Sequence, residues 1–155
     1  MDNQADTASN DWLPHSLPTL VIGHVARQLS KLVDQDLKAI GITASQLPVL
    51  VALKNGEKRT QMELARIAGV EQPSMAQLLA RMERDGLLRR EPSPIDGRKS
   101  LVMLTGMALE RLEPGRVALK QIDAEVCAGL SQEERKRFLG TLLHIAEVLK
   151  REVHS

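Results

Sequence analysis

The most informative stretch of this chain covers residues 61–78 and reads QMELARIAGVEQPSMAQL. The small side chain of Ala65 suits a point where two helices approach closely, and Gly69, four residues later, allows a sharp turn between them. Three apolar residues that are expected to face the core follow, namely Val70, Met75 and Leu78. This spacing is typical of a DNA-binding helix-turn-helix, although an ordinary helical corner needs similar residues.

The helix after this turn, predicted over residues 72–85, separates apolar from polar side chains. Its inward stripe, at positions i, i+3, i+4 and i+7, consists of Met75, Leu78, Leu79 and Met82. Its outward stripe consists of Ser74, Gln77, Arg81 and Arg84. Short polar groups near the start of a helix suit base edges in the major groove, and cations further along suit phosphates. A solvated helix face would usually mix acids with bases, whereas Glu83 and Asp85 lie off this stripe.

A β-hairpin is predicted directly after that helix. Two extended runs, Leu87–Glu91 and Ser100–Leu104, flank a loop with an Asp-Gly pair, which is a strong hairpin signal. A hairpin in this position is a wing, and cations at its tip, here Arg98 and Lys99, can reach the adjacent minor groove. Asp96 also fits plain turn chemistry, and we expect it both to shape the loop and to orient Arg98.

Helices are predicted on both sides of these elements. A long helix covers residues 17–40, with Gly41 as its C-cap. Capping boxes mark three further helix starts, Thr43 with Gln46, Thr60 with Glu63 and Ser131 with Glu134. We expect Pro48 to distort its helix and Pro114 to kink or interrupt the helix after the hairpin. The last helix should bury one apolar stripe, Phe138, Leu142, Ile145 and Leu149.

The composition is that of an ordinary globular protein. The chain has 155 residues and contains no apolar run of about eighteen residues that would indicate a membrane span. Its N-terminus lacks a basic region followed by an apolar stretch, so no secretory signal is visible. Cys127 is the single cysteine and cannot form an internal disulfide. We therefore expect a cytoplasmic protein that has no membrane partner.

The net charge of +1 does not by itself indicate a nucleic-acid partner, but the charges are unevenly distributed. Residues 54–105 carry ten basic and seven acidic side chains, whereas residues 1–53 carry three basic and five acidic ones. An anionic polymer would therefore bind in the middle third. Trp12 and Phe138 are the only aromatic residues, and single-stranded nucleic acid is usually held by stacking on aromatic rings. Double-stranded DNA is the better-supported partner.

At this point the chain resembles the MarR/SlyA family of bacterial regulators over roughly residues 17–151. The likeness is carried by GITASQLPVLVAL at 41–53, GVEQPSMAQLLARMERDGLL at 69–88 and PIDGRKSLVMLT at 94–105. The resemblance implies a mainly α fold with a small β-hairpin wing, a winged helix-turn-helix of about six helices in an intertwined homodimer. The expected parts are a flexible N-terminal tail over 1–16, a helical dimerisation region over 17–42 and 106–155, and a DNA-binding domain over 43–105.

The resemblance also implies a function and a set of contact residues. The expected protein is a sequence-specific transcriptional regulator, a repressor, that acts as a dimer on an inverted-repeat operator. A small aromatic or phenolic ligand is the expected effector that releases it, and no cofactor is expected. The resemblance places Ser74 and Gln77 at phosphate- and base-contacting positions of the recognition helix, Arg98 at the wing arginine that enters the minor groove, and Asp96 at its partner. Together with the interpretation of the residues above, the full set expected to contact DNA is Thr60, Gln72, Ser74, Gln77, Arg81, Arg84, Asp96, Arg98 and Lys99.

Three positions depart from the family pattern. Gln77 stands where the SlyA branch usually has arginine, which implies a different preferred DNA sequence. Gly97 stands where a second wing arginine is common, which implies a less charged wing and a lower affinity. The Pro48 region lacks the aromatic residue of some members, which weakens the case for a phenolate pocket. No ligand-binding residues are assigned.

Other kinds of site are poorly supported. The four histidines, His15, His24, His144 and His154, show no metal-binding spacing. An inert, packed Cys127 is favoured over a redox switch. The chain has no phosphate loop, nucleophile elbow or paired-carboxylate motif, so we expect no enzyme. The competing interpretation is a winged helix used only for dimerisation or protein contact, as in the leading domain of some methyltransferases. We expect such a domain to precede a glycine-rich cofactor-binding domain, whereas this chain stops at Ser155.

Overall fold

The computed structural model describes residue 13 and residues 15–153, so most of the tail predicted over 1–16, and also His154, lie outside the described residues. Within that range the chain forms six α-helices and a two-stranded antiparallel sheet, which confirms the mainly α fold with one hairpin. The elements are α1 (Pro18–Leu37), α2 (Leu47–Leu53), α3 (Gln61–Ala68), α4 (Gln72–Arg84), β1 (Leu88–Pro92), β2 (Ser100–Leu104), α5 (Gly106–Val126) and α6 (Gln132–Val153). Short 3-10 turns lie at Lys38–Ile40, Ala44–Gln46 and Lys54–Gly56.

The corner between α1 and α2 follows the predicted capping chemistry. The 3-10 turn after α1 ends at Gly41, whose φ of 81° favours glycine. The backbone N–H of Thr43 donates to Oε1 of Gln46 at 3.1 Å, as the capping box requires. From α1, Oδ1 of Asp34 accepts the N–H of Ala44 at 2.7 Å. These bonds fix the direction in which the chain enters α2.

The two prolines differ in their effects. Pro48 lies in the first turn of α2, where the missing N–H needs no helical partner. The expected distortion is the change from 3-10 to α geometry at Leu47, just before it. α5 runs unbroken through Pro114, so the predicted interruption is wrong, while the alternative, a kink, stays a prediction.

Tertiary contacts hold α5 together around its proline. Nη1 of Arg111 donates to the carbonyl of Gly41 at 3.0 Å. On the next turn, a Cβ added to Gly115 would lie 2.9 Å from Cδ1 of Ile42, so this glycine permits a close approach. An interior proline costs a helix about 3 kcal/mol, and contacts of this kind offset that cost.

The core of the first part of the chain lies between α2, α3, α4 and the sheet. Each of these elements contributes fully buried side chains, among them Leu50, Leu53, Leu64, Met75, Leu79, Met82 and Val102. Burying one such side chain stabilises the fold by about 1.5–3 kcal/mol relative to exposure. The α4 helix and the hairpin are therefore attached to one packed body.

The hairpin is anchored at the middle of β2 as well as paired internally. Leu88 lies opposite Leu104, and Pro92 lies opposite Ser100. On the other edge of β2, Val102 exchanges two backbone hydrogen bonds, of 3.1 and 2.7 Å, with the residue that precedes the α3 cap, Arg59. These bonds join β2 to the segment that leads into the helix-turn-helix.

The chain divides into two compact units between Ala118 and Leu119. In the second unit, α6 begins at the predicted capping box, in which Ser131 and Glu134 exchange bonds of 2.8 and 3.1 Å. The prediction that this helix buries its apolar stripe is wrong for the single chain. No described element of the unit covers the stripe. Ile145 is therefore only half-buried, and the other three residues are exposed: Phe138, Leu142 and Leu149.

Within the described residues, no single helix is both long and apolar enough to cross a membrane. One bent pair, Pro18–Ile40 with Ala44–Gly56 at 89° to each other, passes the same test of length and composition when taken together.

Candidate nucleic-acid interface

The helix-turn-helix consists of α3, a tight turn at Gly69 and α4. Oγ1 of Thr60 accepts the N–H of Glu63 at 3.3 Å, and Oε2 of Glu63 accepts the N–H of Thr60 at 3.1 Å, which confirms this capping box. Ala65 is buried, and Gly69 adopts a φ of 67° that would strain other residues. The backbone N–H of Val70 donates a hydrogen bond of 3.1 Å to the carbonyl of Ala65 and so caps the end of α3. Its side chain is exposed, so the prediction that it faces the core is wrong.

The two predicted faces of α4 are present. The inward stripe has no exposed surface at Met75, Leu79 and Met82, while Leu78 is half-buried. All four residues of the outward stripe are exposed: Ser74, Gln77, Arg81 and Arg84. The helix therefore presents a polar start and a cationic end on one outer face.

The two acidic residues close to this stripe, Glu83 and Asp85, each lie beside an arginine. Oε2 of Glu83 lies 2.7 Å from Nε of Arg90, which projects from β1. Oδ1 of Asp85 lies 3.8 Å from Nε of Arg84. Within the described residues Arg81 forms no ion pair. Arg81 is thus an exposed cation on the outer face of α4 that is not ion-paired with any described residue.

A second ion pair holds the hairpin near the loop end of β1, where Glu91 lies opposite Leu101. Nζ of Lys58 donates to Oε1 of Glu91 at 2.5 Å, so the segment before α3 is joined to β1. Beside it, Nε of Arg59 donates to the carbonyl of Ala52 at the end of α2, at 3.1 Å. The strands of the wing are consequently tied to α2, to the α3 cap and to α4.

The loop at the tip of the hairpin is shaped by Asp96. Its Oδ1 accepts the backbone N–H of Arg98 at 3.1 Å, and Nε of the same arginine lies 3.6 Å away. The Arg98 side chain is 96% exposed, so the contact with Asp96 leaves most of the guanidinium in solvent. The expectation that Asp96 shapes the loop is met, and its orienting of Arg98 stays a prediction.

The nine predicted contact residues fall into two groups. Seven of them are exposed on α4 or at the wing tip: Gln72, Ser74, Gln77, Arg81, Arg84, Arg98 and Lys99. Thr60 and Asp96 are half-buried, and an oxygen of each accepts a backbone N–H. These two residues therefore have a structural role in addition to any contact with a ligand.

Sequence reasoning missed the ion pairs that join these elements. The partners Glu83 and Arg90 are seven positions apart and lie in different elements, and Lys58 and Glu91 are 33 apart. Neither spacing corresponds to a neighbour on one helix face, so no local pattern indicates these pairs. It also missed Ile95, whose apolar side chain in a polar loop was the available signal.

Among the described residues, no group of three or more His, Cys, Asp or Glu side chains is arranged to hold a metal ion. Cys127 directly follows α5 and is half-buried. Its inertness stays a prediction.

Similar proteins point to one family. A model of the MarR family matches residues 40–99 of this chain. The transcriptional regulator HosA of Escherichia coli O111:H- is 32% identical over 125 residues, which are 81% of this chain and 87% of HosA. The uncharacterized HTH-type transcriptional regulator YwoH of Bacillus subtilis (strain 168) is 29% identical over 117 residues, or 76% of this chain and 85% of YwoH.

Solved structures share the fold. A structure of MarR aligns with a TM-score of 0.78 at 20% identity and covers 92% of this chain and 97% of MarR. The transcriptional repressor CouR, bound to a 23-mer DNA duplex, aligns with a TM-score of 0.77 at 21% identity over 94% of this chain and 99% of CouR. At these identities the likeness shows the fold alone. The similarity to HosA and the family model establish that this chain belongs to the MarR family of transcriptional regulators, whose members are not enzymes.

Proposed function

We propose that this chain represses transcription in the cytoplasm by binding, as a homodimer, an inverted-repeat operator in double-stranded DNA. The observation that carries the proposal is the outer face of α4, where exposed polar side chains are followed by exposed arginines. A helix with this order of groups fits the major groove, with its start at the base edges and its end at the phosphates. CouR, which has the same fold, was solved bound to a 23-mer DNA duplex, and this supports duplex DNA as the partner.

Base recognition is assigned to the first turns of α4. Gln72, Ser74 and Gln77 are exposed there and carry groups that hydrogen-bond. A glutamine can form a bidentate pair with adenine through N6 and N7, so Gln77 is the residue that would specify a base. Arg81 and Arg84 would bind phosphates and fix the register without specifying sequence.

The wing is assigned to the adjacent minor groove. Arg98 and Lys99 are exposed at its tip, and a cation in this position is attracted by the negative potential of a narrow groove. The ion pair between Glu83 and Arg90 supports a fixed geometry between α4 and the wing. A wing fixed in this way contacts the minor groove at a defined distance from the bases that α4 reads.

A homodimer is proposed from the apolar surfaces of both terminal helices. α1 exposes Leu20, Val21, Ile22 and Val25, and α6 exposes Phe138, Leu139, Leu142, Leu143, Val148 and Leu149. Helix faces this apolar are normally covered in a folded protein. A second copy would cover them by pairing residues 17–42 and 106–155, and the segment 43–105 of each copy would bind DNA. Two copies related by a two-fold would set their α4 helices about 34 Å apart, one turn of B-DNA.

Release by a small aromatic or phenolic ligand completes the proposal and rests on the family resemblance. Its test is a titration of the DNA complex with a phenolic acid such as salicylate. The DNA-bound fraction should fall at ligand concentrations that leave the melting temperature of the free protein unchanged or higher.

The decisive experiment is a gel shift with duplex DNA from upstream of the chain's own gene, combined with light scattering. We expect a mass of twice the chain, a saturable shift on duplex, no comparable shift on either single strand, and an affinity that falls steeply with salt. A folded dimer that binds no duplex at low salt would indicate instead a module for protein contact without DNA binding.

A further inference from the structure

One apolar side chain at the tip of the wing is almost completely exposed. Ile95 has 97% of its surface in contact with solvent, whereas the next most exposed large apolar residue in the described part of the chain, Leu143, is 59% exposed. An isoleucine in this state gains nothing from folding, because its transfer free energy is realised only when it is buried.

The loop around Ile95 is held by hydrogen bonds, so this exposure belongs to a defined conformation. Oγ of Ser93 lies within 3.3 and 3.4 Å of the N–H groups of Ile95 and Asp96, which donate to it. The N–H of Ser93 donates to the carbonyl of Lys99 at 2.8 Å, and the N–H of Lys99 donates to the carbonyl of Asp96 at 2.9 Å. Ser93 and Asp96 are the half-buried residues of the tip, while Ile95 and Arg98 project outward.

The charges beside Ile95 indicate what would cover it. The exposed cations Arg98 and Lys99 share its loop, and Asp96, the one acid there, lies 3.6 Å from the arginine. A surface with a negative floor and apolar walls matches this arrangement. The DNA minor groove is such a surface, since base acceptors line its floor and the C–H groups of deoxyribose form its walls. Isoleucine is among the residues that known minor-groove proteins place in that groove.

We propose that Ile95 enters the minor groove beside Arg98 and packs against the deoxyribose wall. The inference rests on the proposed DNA binding and adds to it an apolar contact that distinguishes this wing from a purely cationic one. Arg98 supplies attraction that depends on salt, and Ile95 supplies close contact that does not. The contact requires duplex DNA beyond the half-sites that α4 reads.

The test compares the whole wild-type chain with Ile95→Ala and Ile95→Val on two duplexes. The long duplex carries the two half-sites, chosen by selection from random DNA with the wild-type protein, and ten flanking base pairs on each side. The short duplex ends at the outer edges of the half-sites. On the long duplex, Ile95→Ala should raise Kd by about three- to tenfold and Ile95→Val by about twofold or less, because the side chain is only partly buried in a groove.

Three further measurements make the result specific. The salt dependence of Kd should be the same for Ile95→Ala and the wild type, because no charge has been removed. On the short duplex their Kd values should be equal. Their melting temperatures should also be equal, because the side chain contacts solvent rather than the core. The control Val51→Ala, which truncates an exposed apolar residue in α2, should bind both duplexes like the wild type.

Equal Kd values for Ile95→Ala and the wild type on the long duplex would overturn the inference, and so would a loss of the same size on both duplexes. Failure of the proposed function has a different signature, namely a folded wild-type dimer from which the selection enriches no duplex. If the wild type binds and Gln77→Ala weakens binding while Ile95→Ala does not, DNA binding stands and only the role of Ile95 falls.

Discussion

Nε of Arg90 in β1 lies 2.7 Å from Oε2 of Glu83 in the last turn of α4. The pair joins the wing to the helix that carries the proposed base contacts. Arg90 is 30% exposed and Glu83 is 47% exposed, so water screens the pair only in part. It pairs an acid of the last turn of α4 with a cation and joins β1 to that helix.

We expect a measurable coupling between these two residues. In a double-mutant cycle of Glu83→Gln and Arg90→Gln, urea unfolding at low salt should give a coupling free energy of roughly 0.2–1 kcal/mol. The coupling should shrink in 1 M salt, because partly exposed charges are screened. The same cycle on Lys150 and Glu147, an ion pair on α6 whose side chains are more exposed, is the control and should give a smaller coupling free energy. A zero coupling at low salt would mean that the pair does not hold the wing.

Thr60 combines a cap with a proposed DNA contact, and two substitutions separate these roles. Thr60→Ala should lower the free energy of unfolding by about 0.5–2 kcal/mol, because Glu63 loses its cap acceptor. Thr60→Asp preserves an acceptor for the N–H of Glu63 and should keep most of the stability. Its added negative charge should nevertheless weaken DNA binding if Thr60 lies near a phosphate. Wild-type affinity in a stable Thr60→Asp protein would remove Thr60 from the contact set.

Gln77 should contribute to specificity rather than to general affinity. Gln77→Ala should cost roughly 1–3 kcal/mol at one base pair of the operator and relax the preference there. The salt dependence should not change, because glutamine is neutral. The measurement is the affinity of wild type and variant for the operator and for operators in which each base pair is replaced in turn by every other. A uniform loss across all sequences would assign Gln77 to the backbone instead.

Arg98 should act through DNA, with little effect on folding. The turn is held by the backbone N–H of Arg98, which donates to Asp96, and alanine at this position keeps that N–H. The Arg98 side chain is 96% exposed. Arg98→Ala should therefore leave the melting temperature unchanged, weaken binding most on sites with A/T-rich flanks, and reduce the salt slope by about one charge. Asp96→Ala, which removes the acceptor, should disturb the loop and serves as the comparison. A lower melting temperature with unchanged affinity would show that Arg98 only packs the hairpin.

The apolar face of α6 should control the dimer. Phe138→Glu places a charge on a residue that is 48% exposed in the single chain and should produce monomers at micromolar concentration in light scattering. Gln132→Glu, at an exposed position in the first turn of the same helix, should remain a dimer. The monomer should also lose most of its DNA affinity, because two linked half-sites bind far better than one. A monomeric wild-type protein would contradict the proposed homodimer.

Local chemistry allowed the fold to be predicted from the sequence. Capping pairs such as Thr60 with Glu63 satisfy helix ends within four residues, and Gly69 follows from the conformation that a tight turn requires. The two faces of α4 follow from the 3.6-residue period, and the Asp-Gly pair predicts the hairpin loop. Each of these signals depends on residues close together in the chain, so neither the element order nor the outer stripe of α4 needed the structure.

Tertiary structure decided what depends on residues far apart. The Val70 N–H closes α3 while its side chain faces solvent, and α5 runs unbroken through Pro114 with Arg111 bonded to the Gly41 corner. The ion pair of Glu83 with Arg90 exists because β1 folds back beside α4. Such outcomes depend on which elements pack together, and packing is a property of the whole fold that no short window of sequence contains.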